Sequence, residues 1–182
     1  KGIICKAGGN ETTTISGSIY SGILKNITDN TILEKNPRTS IWVQSGANLD
    51  IQSGDKVVSA GEIYTDQNAT FTSETGVTLW AQGVKLSSAQ VNLLGTTYFS
   101  DDLTIESGNS SRVMIQGEYY GYGYPESARN SKNDYMYDAA DGKWSDTALS
   151  SSIVINGKST TLDLSGVRKL MLAGRSYIGT SD

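Results

Sequence analysis

Three aspartates, Asp134, Asp138 and Asp141, stand close together in the chain, with Asn130 and Asn133 just ahead of them. Hard cations take several oxygen ligands, so carboxylates and carboxamides converging from one loop are the chemistry of a calcium site. The spacing does not follow the EF-hand pattern, and an acidic loop that is simply solvated is the competing reading. No other cofactor is expected. Around the same aspartates lie Tyr119, Tyr120, Tyr122, Tyr124, Tyr135, Tyr137 and Trp144, a candidate partner-binding surface. Their rings could stack on sugar faces, or they could pack the segment that carries them onto the flank of the fold.

Composition closes other routes to chemistry. There is no histidine, which removes the commonest general base and a common metal ligand and makes a Ser-His-Asp arrangement impossible. Asp101 and Asp102 are adjacent carboxylates, but neighbouring strand residues point to opposite faces and do not converge on one glycosidic bond. The lone Cys5 can form neither an intrachain disulfide nor a CxxC site. With no catalytic set, the chain is expected not to be an enzyme. A net charge of −4 with scattered lysines and arginines argues against nucleic acid, whose phosphates need a concentrated basic surface. No apolar run reaches the length of a membrane-spanning helix, so no membrane contact is expected from this stretch. Sequons at Asn10, Asn26, Asn68 and Asn109 are near chance number in so Ser- and Thr-rich a chain, and leave glycosylation open.

The elements that must position these residues are repetitive. Gly-x-x-Tyr occurs as Gly17–Tyr20, Gly61–Tyr64, Gly95–Tyr98, Gly117–Tyr120 and Gly174–Tyr177. The interval from Gly17 to Gly61 is twice that from Gly95 to Gly117. A recurrence of roughly 20–25 residues marks a solenoid in which each unit is one coil. Short alternating runs ending in glycine support it: "LDIQSG" (49–54), "FTSETG" (71–76), "LTIESG" (103–108), "IWVQSG" (41–46), "LWAQG" (79–83), "SIVING" (152–157) and "TLDLSG" (161–166). Each reads as a strand followed by a turn.

Alternation also sets the facing of the repeat. The residue after each glycine is polar (Ser18, Glu62, Thr96, Glu118, Arg175) and points outward. The residue two before it is apolar in four of five copies (Ile15, Leu93, Ile115, Leu172, with Ser59 the exception) and points inward. Glycine then occupies a position that needs positive φ or close backbone approach, and the tyrosines are expected to stack in a ladder.

The expected fold is all-β: a right-handed parallel β-helix, or β-solenoid, of about seven irregular coils, with a β-sandwich as the alternative. It forms a single domain over residues 1–182, with a loop inserted at about 121–151, where alternation stops and charges and aromatics gather. A short helix is expected only over Asp134–Ala140.

"QGEYYGYG" followed by a polar insertion, then "SSSIVING" and "TTLDLSGVRKLMLAGRSYIG", resembles the β-helical ectodomain of pilus-assembly, minor-pilin-like (PilX-type) surface proteins of Gram-positive bacteria. The likeness is sharpest from about Val113 to Gly179 outside the insertion. A weaker resemblance runs to bactofilins, cytoplasmic β-helices that polymerise end to end. The pilin resemblance implies a fragment of a longer protein whose N-terminal hydrophobic helix anchors it in the membrane. It further implies an extracellular, cell-surface or pilus location. Partners would be other pilin or surface subunits and host or matrix glycans. The expected function is a non-enzymatic structural or adhesion role in type IV pilus assembly or surface attachment. The alternatives are a self-polymerising bactofilin-like scaffold and a polysaccharide-active β-helix enzyme.

Overall fold

Alternation in "IWV" and "NLDI" turns every second side chain inward, and strands of this kind recur along the chain. The computed structural model describes residues 2–9, 11–19, 40–99, 102–106, 110–121, 137–138, 143–144, 152–156, 158–172 and 178–180. The strands begin with β1 (Ile3–Cys5) and β2 (Thr12–Ile15). Next come β3 (Ile41–Val43), β4 (Asn48–Ile51) and β5 (Lys56–Ser59), then β6 (Glu62–Thr65), β7 (Thr70–Ser73) and β8 (Val77–Ala81). They continue with β9 (Gly83–Leu86), β10 (Gln90–Leu93) and β11 (Thr96–Phe99), followed by β12 (Leu103–Ile105), β13 (Arg112–Ile115) and β14 (Glu118–Gly121). After β15 (Tyr137–Asp138) and β16 (Lys143–Trp144) come β17 (Ile153–Ile155), β18 (Thr161–Asp163), β19 (Lys169–Leu172) and β20 (Ile178–Thr180).

These strands stack in three parallel sheets that the chain visits in turn. The first runs β1-β3-β6-β9-β12-β17-β20, the second β2-β4-β7-β10-β13-β18, and the third β5-β8-β11-β14-β19. Ile41 pairs with Ile63, Ile63 with Val84 and Val84 with Leu103, so each step along the sheet spends one repeat of the chain. There is no helix among the described residues. The protein is all-β, and its parallel stacking supports a β-solenoid.

Two steps are longer. Leu103 pairs with Ile153 across more than twice the usual interval, and the extra chain lies between β14 and β17. Within it, β15 and β16 pair antiparallel, so strand stands at Tyr137–Asp138, inside the helix expected over Asp134–Ala140. Near the start, Ile19 bridges directly to Val58. The long interval from Gly17 to Gly61 therefore does not span two coils, as the sequence suggested, because Ile19 and Val58 are neighbours in the stack.

The core lies between the sheets. Ile41, Ile63, Val84, Leu103 and Ile153 stack as one inward ladder, and Leu49, Phe71, Val91 and Val113 form another, all buried. Burying each such side chain stabilises the fold by roughly 1.5–3 kcal/mol relative to exposure. Cys5 is part of this core and its thiol donates to Asn48 O.

The corner between the first and second sheets repeats a backbone device. Gly46, Asn68, Ser88, Ser110 and Ser159 sit there with φ of 73°, 58°, 49°, 64° and 57°. Left-handed backbone favours Gly and Asn, which suits the glycine of "QSG" and the asparagine of "QNA" to these corners. Ala47, Ala69, Ala89 and Ser111 follow and turn inward, and their backbones bond along the axis, as in Thr70 N to Ala47 O and Gln90 N to Ala69 O, both 2.9 Å. Larger residues could not enter so tight a corner without displacing the core. "LWAQG" differs from this pattern: Gly83 opens β9 instead of closing a turn.

Candidate functional site

The first sheet carries an outer surface unlike the others. Ile41 and Val43 face the core, so Trp42 faces out; Ile63 and Thr65 face in, so Tyr64 faces out. Trp42 and Tyr64 are register partners, with Ile4 beside Trp42 and Lys85 beside Tyr64. The strand spacing of about 4.8 Å therefore sets the distance between neighbouring ring-bearing positions. Ile4 and Tyr64 are 41% and 39% exposed, high values for large apolar side chains.

Asp66 follows β6 directly and is held by the stack. Its N–H donates to Val43 O (2.9 Å) and its carbonyl accepts from Ala69 N (3.0 Å). Its carboxylate Oδ2 accepts from Trp42 Nε1 at 2.7 Å, which ties the indole to Asp66. Trp42, Tyr64, Asp66 and Ser40 line an open groove of about 460 Å³. It combines apolar ring surface, a fixed carboxylate acceptor and a hydroxyl, a set suited to a ligand with one apolar face and polar edges.

The third sheet bears an aromatic ladder of another kind. Tyr98 and Tyr120 stack with centroids 4.7 Å apart and planes 10° from parallel. Trp80 meets Tyr98 edge-on at 6.0 Å. Lys169 Nζ lies 5.2 Å from the Tyr120 centroid, and Tyr120 Oη donates to Glu118 Oε2 at 2.6 Å. These rings meet one another and Lys169, and Trp80 and Tyr120 are almost buried. The ladder is structural in character. Its glycines explain how it packs: a Cβ on Gly117 would lie 1.6 Å from Gly95 O. Close backbone approach, not positive φ, is what the motif glycine supplies here.

Of the tyrosines expected to stack together, Tyr98 and Tyr120 do so, but Tyr64 lies on the first sheet, and Tyr20 and Tyr177 are outside the described residues. The irregular interval from Gly61 to Gly95 explains the displacement. From β6 the chain passes through β7 and β8 to return to the first sheet at Gly83, and it reaches Tyr98 on the third sheet only after the further strand β10.

The aromatic surface expected from sequence divides accordingly. Tyr119 is fully buried and meets Phe99 edge-on at 5.5 Å, so it is a core residue and not part of a surface. The reason is register: Tyr119 is one position from the outward Tyr120. Tyr137 and Trp144 are register partners in the β15–β16 pair. Tyr122, Tyr124 and Tyr135 lie outside the described residues, as do Asp134, Asp141, Asn130 and Asn133 of the candidate calcium loop, while Asp138 belongs to β15. Asp102 caps the next step of the stack: its Oδ1 accepts from Ser152 N at 2.6 Å. The groove residues Trp42, Tyr64 and Asp66 were missed by sequence reasoning. The available signal was that Trp42 and Tyr64 stand one repeat apart, each between two inward residues.

The second sheet presents a polar outer face. Arg112 Nη2 contacts Asp163 Oδ2 at 3.0 Å. The Asp163 carboxyl is held below its ordinary range, first by the Ser165 hydroxyl that donates to it, then by the Ser165 N–H and by Arg112.

Among the described residues no group of three or more His, Cys, Asp or Glu is placed to hold a metal ion, and no helix is long and apolar enough to cross a membrane. No protein-family model, curated protein or solved structure matches the chain.

Proposed function

We propose that the chain is a right-handed parallel β-helix of about seven irregular coils, with one loop inserted at about 121–151. It serves as a non-enzymatic structural and adhesion domain of a bacterial cell surface, of the minor-pilin-like type. In this reading the domain acts in type IV pilus assembly or surface attachment. Hydrogen bonds running along the axis make it a stiff spacer, and its outer faces meet other surface subunits or host and matrix glycans.

The observation that carries the reading is a continuous parallel stack bearing an open aromatic groove on one outer face. A rigid scaffold that displays a side-facing contact site suits presentation. The resemblance around "QGEYYGYG" and "TTLDLSGVRKLMLAGRSYIG" supplies the cell-surface setting. Immunogold electron microscopy on cells of the source organism, with antibodies raised against this chain, tests it. Label along pili or the cell envelope is expected, and label confined to the cytoplasm would overturn the assignment.

A second reading, the self-polymerising scaffold, draws on another feature. Leu162, Leu164, Leu170 and Leu172 pack against the core but are only partly buried. That face of the stack can accept a further layer, either more of the same chain or a second copy. Sedimentation velocity from about 1 to 100 μM separates the two readings, since end-to-end growth is concentration-dependent. A constant monomer supports the displayed domain, and lengthening filaments support the scaffold.

A further inference from the structure

The geometry points to the groove of Trp42, Tyr64, Asp66 and Ser40 as a glycan-binding site, with a hexopyranose chain lying along the solenoid axis over the two rings. The inference rests on the adhesion reading for its biological setting, and gives that reading a ligand class and an address.

Four observations converge on a sugar. Trp42 and Tyr64 occupy adjacent outward positions on parallel strands, about 4.8 Å apart, close to the repeat of a linear hexopyranose chain. A pyranose ring offers an apolar C–H face to such rings and hydroxyls at its rim. Asp66 is fixed by three hydrogen bonds, to Val43 O, from Ala69 N and from Trp42 Nε1, so its carboxylate stands ready at the rim as an acceptor at little ordering cost. Ser40 adds a hydroxyl that can donate or accept. Lastly, Lys85 stands next to Tyr64 on the outer register.

Lys85 decides between occupants. Aromatic rings beside a carboxylate also suit a quaternary ammonium ion. A lysine one strand from Tyr64 opposes such a cation and instead favours hydroxyl-rich or acidic sugars. The contrast with the third sheet is equally informative. There Tyr120 has Tyr98 stacked on it and Lys169 over its ring. Tyr64, by contrast, is 39% exposed beside a groove of about 460 Å³.

The experiment is isothermal titration calorimetry, paired with saturation-transfer NMR, on the whole chain. The probes are cellohexaose as a neutral glycan, hexagalacturonate as an acidic one, and tetramethylammonium as the cationic control. Binding of at least one glycan is expected, with affinity lowered about tenfold or more by Tyr64→Ala and by Trp42→Ala, as for aromatic anchors of other interfaces. Tyr64→Ala alters an exposed side chain, and circular dichroism confirms that each variant is folded. If the acidic glycan binds, Lys85→Ala should weaken it while leaving neutral binding unchanged. Three results would overturn the inference: no glycan binding at millimolar concentration, binding that both aromatic variants retain, or binding of tetramethylammonium alone. Failure here leaves surface labelling unaffected, and failure of surface labelling leaves binding in solution unaffected, so the two claims fall separately.

Discussion

Gly117→Ala is the sharpest perturbation this fold offers. A methyl at Gly117 would sit 1.6 Å from Gly95 O, 2.6 Å from Gly95 C and 2.8 Å from Leu94 O, where ordinary contact begins at 3.4 Å. Backbone lies on both sides of the contact, so no flexible side chain can give way. Relief requires the third-sheet corners to part until the 1.6 Å approach opens to at least 3.4 Å. The Glu118 N to Gly95 O bond, now 3.0 Å, cannot survive that movement. Leaving its donor and acceptor unpaired costs about 1–3 kcal/mol each. Disturbed packing around Tyr119 adds about 1–3 kcal/mol. A loss of about 4 kcal/mol or more follows, which lowers the melting temperature by roughly 8–16 °C in a domain of this size. Gly17→Ala is the matched control within the same sequence motif, because a Cβ there meets nothing within 4 Å. It should change stability by less than about 0.5 kcal/mol. Thermal and urea unfolding followed by circular dichroism reads both. A Gly117→Ala protein that melts within about 2 °C of the parent would refute the close approach of the two coils, since each kcal/mol lost shifts the melting temperature by a few degrees.

Further outcomes follow from other positions. Thr65 is 1% exposed and its hydroxyl has no hydrogen-bond partner, so Thr65→Val should raise stability by about 1 kcal/mol in urea unfolding; a loss would mean the hydroxyl is satisfied. The stacked Tyr98–Tyr120 pair should show a coupling of about 0.5–1.5 kcal/mol in a double-mutant cycle to leucine, whereas additive effects would deny the stack. Asp163 has its carboxyl held below the ordinary 3.8, so its stabilising contribution is complete above that value and lost as pH falls through the lowered one. Asp163→Asn should therefore melt below the parent at neutral pH and converge with it in strong acid; a difference independent of pH would exclude the ionised carboxylate as the source.

Much of the fold is legible because each inward ladder is written as alternation. Ile41, Val43, Leu49, Ile51, Ile63 and Phe71 are all apolar, each two positions from the next inward residue of its strand, and all buried. Their recurrence once per coil gives the parallel stack. What alternation does not carry is which sheet a given repeat belongs to. Gly-x-x-Tyr looks like one motif, but at Gly95 and Gly117 it marks close approach on the third sheet, while Tyr64 stands on the first. Physical causes differ beneath a shared pattern: glycine serves backbone contact in one place, and the left-handed turn of Gly46 in another.

The same ambiguity governs the site. Sequence alone favoured the densest group of aromatics, of which Tyr122, Tyr124 and Tyr135 lie outside the described residues. A ring stacked on its register neighbour has given up the surface a ligand needs. Tyr98 and Tyr120 are in that condition, and Tyr119, one residue out of phase, is lost to the core. Trp42 and Tyr64 are sparser: above Tyr64 the register passes to Lys85, not to another ring. The ladder is cut short where the aromatics meet a charge, and Asp66 holds the indole from the flank. Unlike the stacked Tyr98 and Tyr120, Tyr64 keeps 39% of its surface exposed where the column is interrupted, and that is the ring surface the proposed glycan would cover.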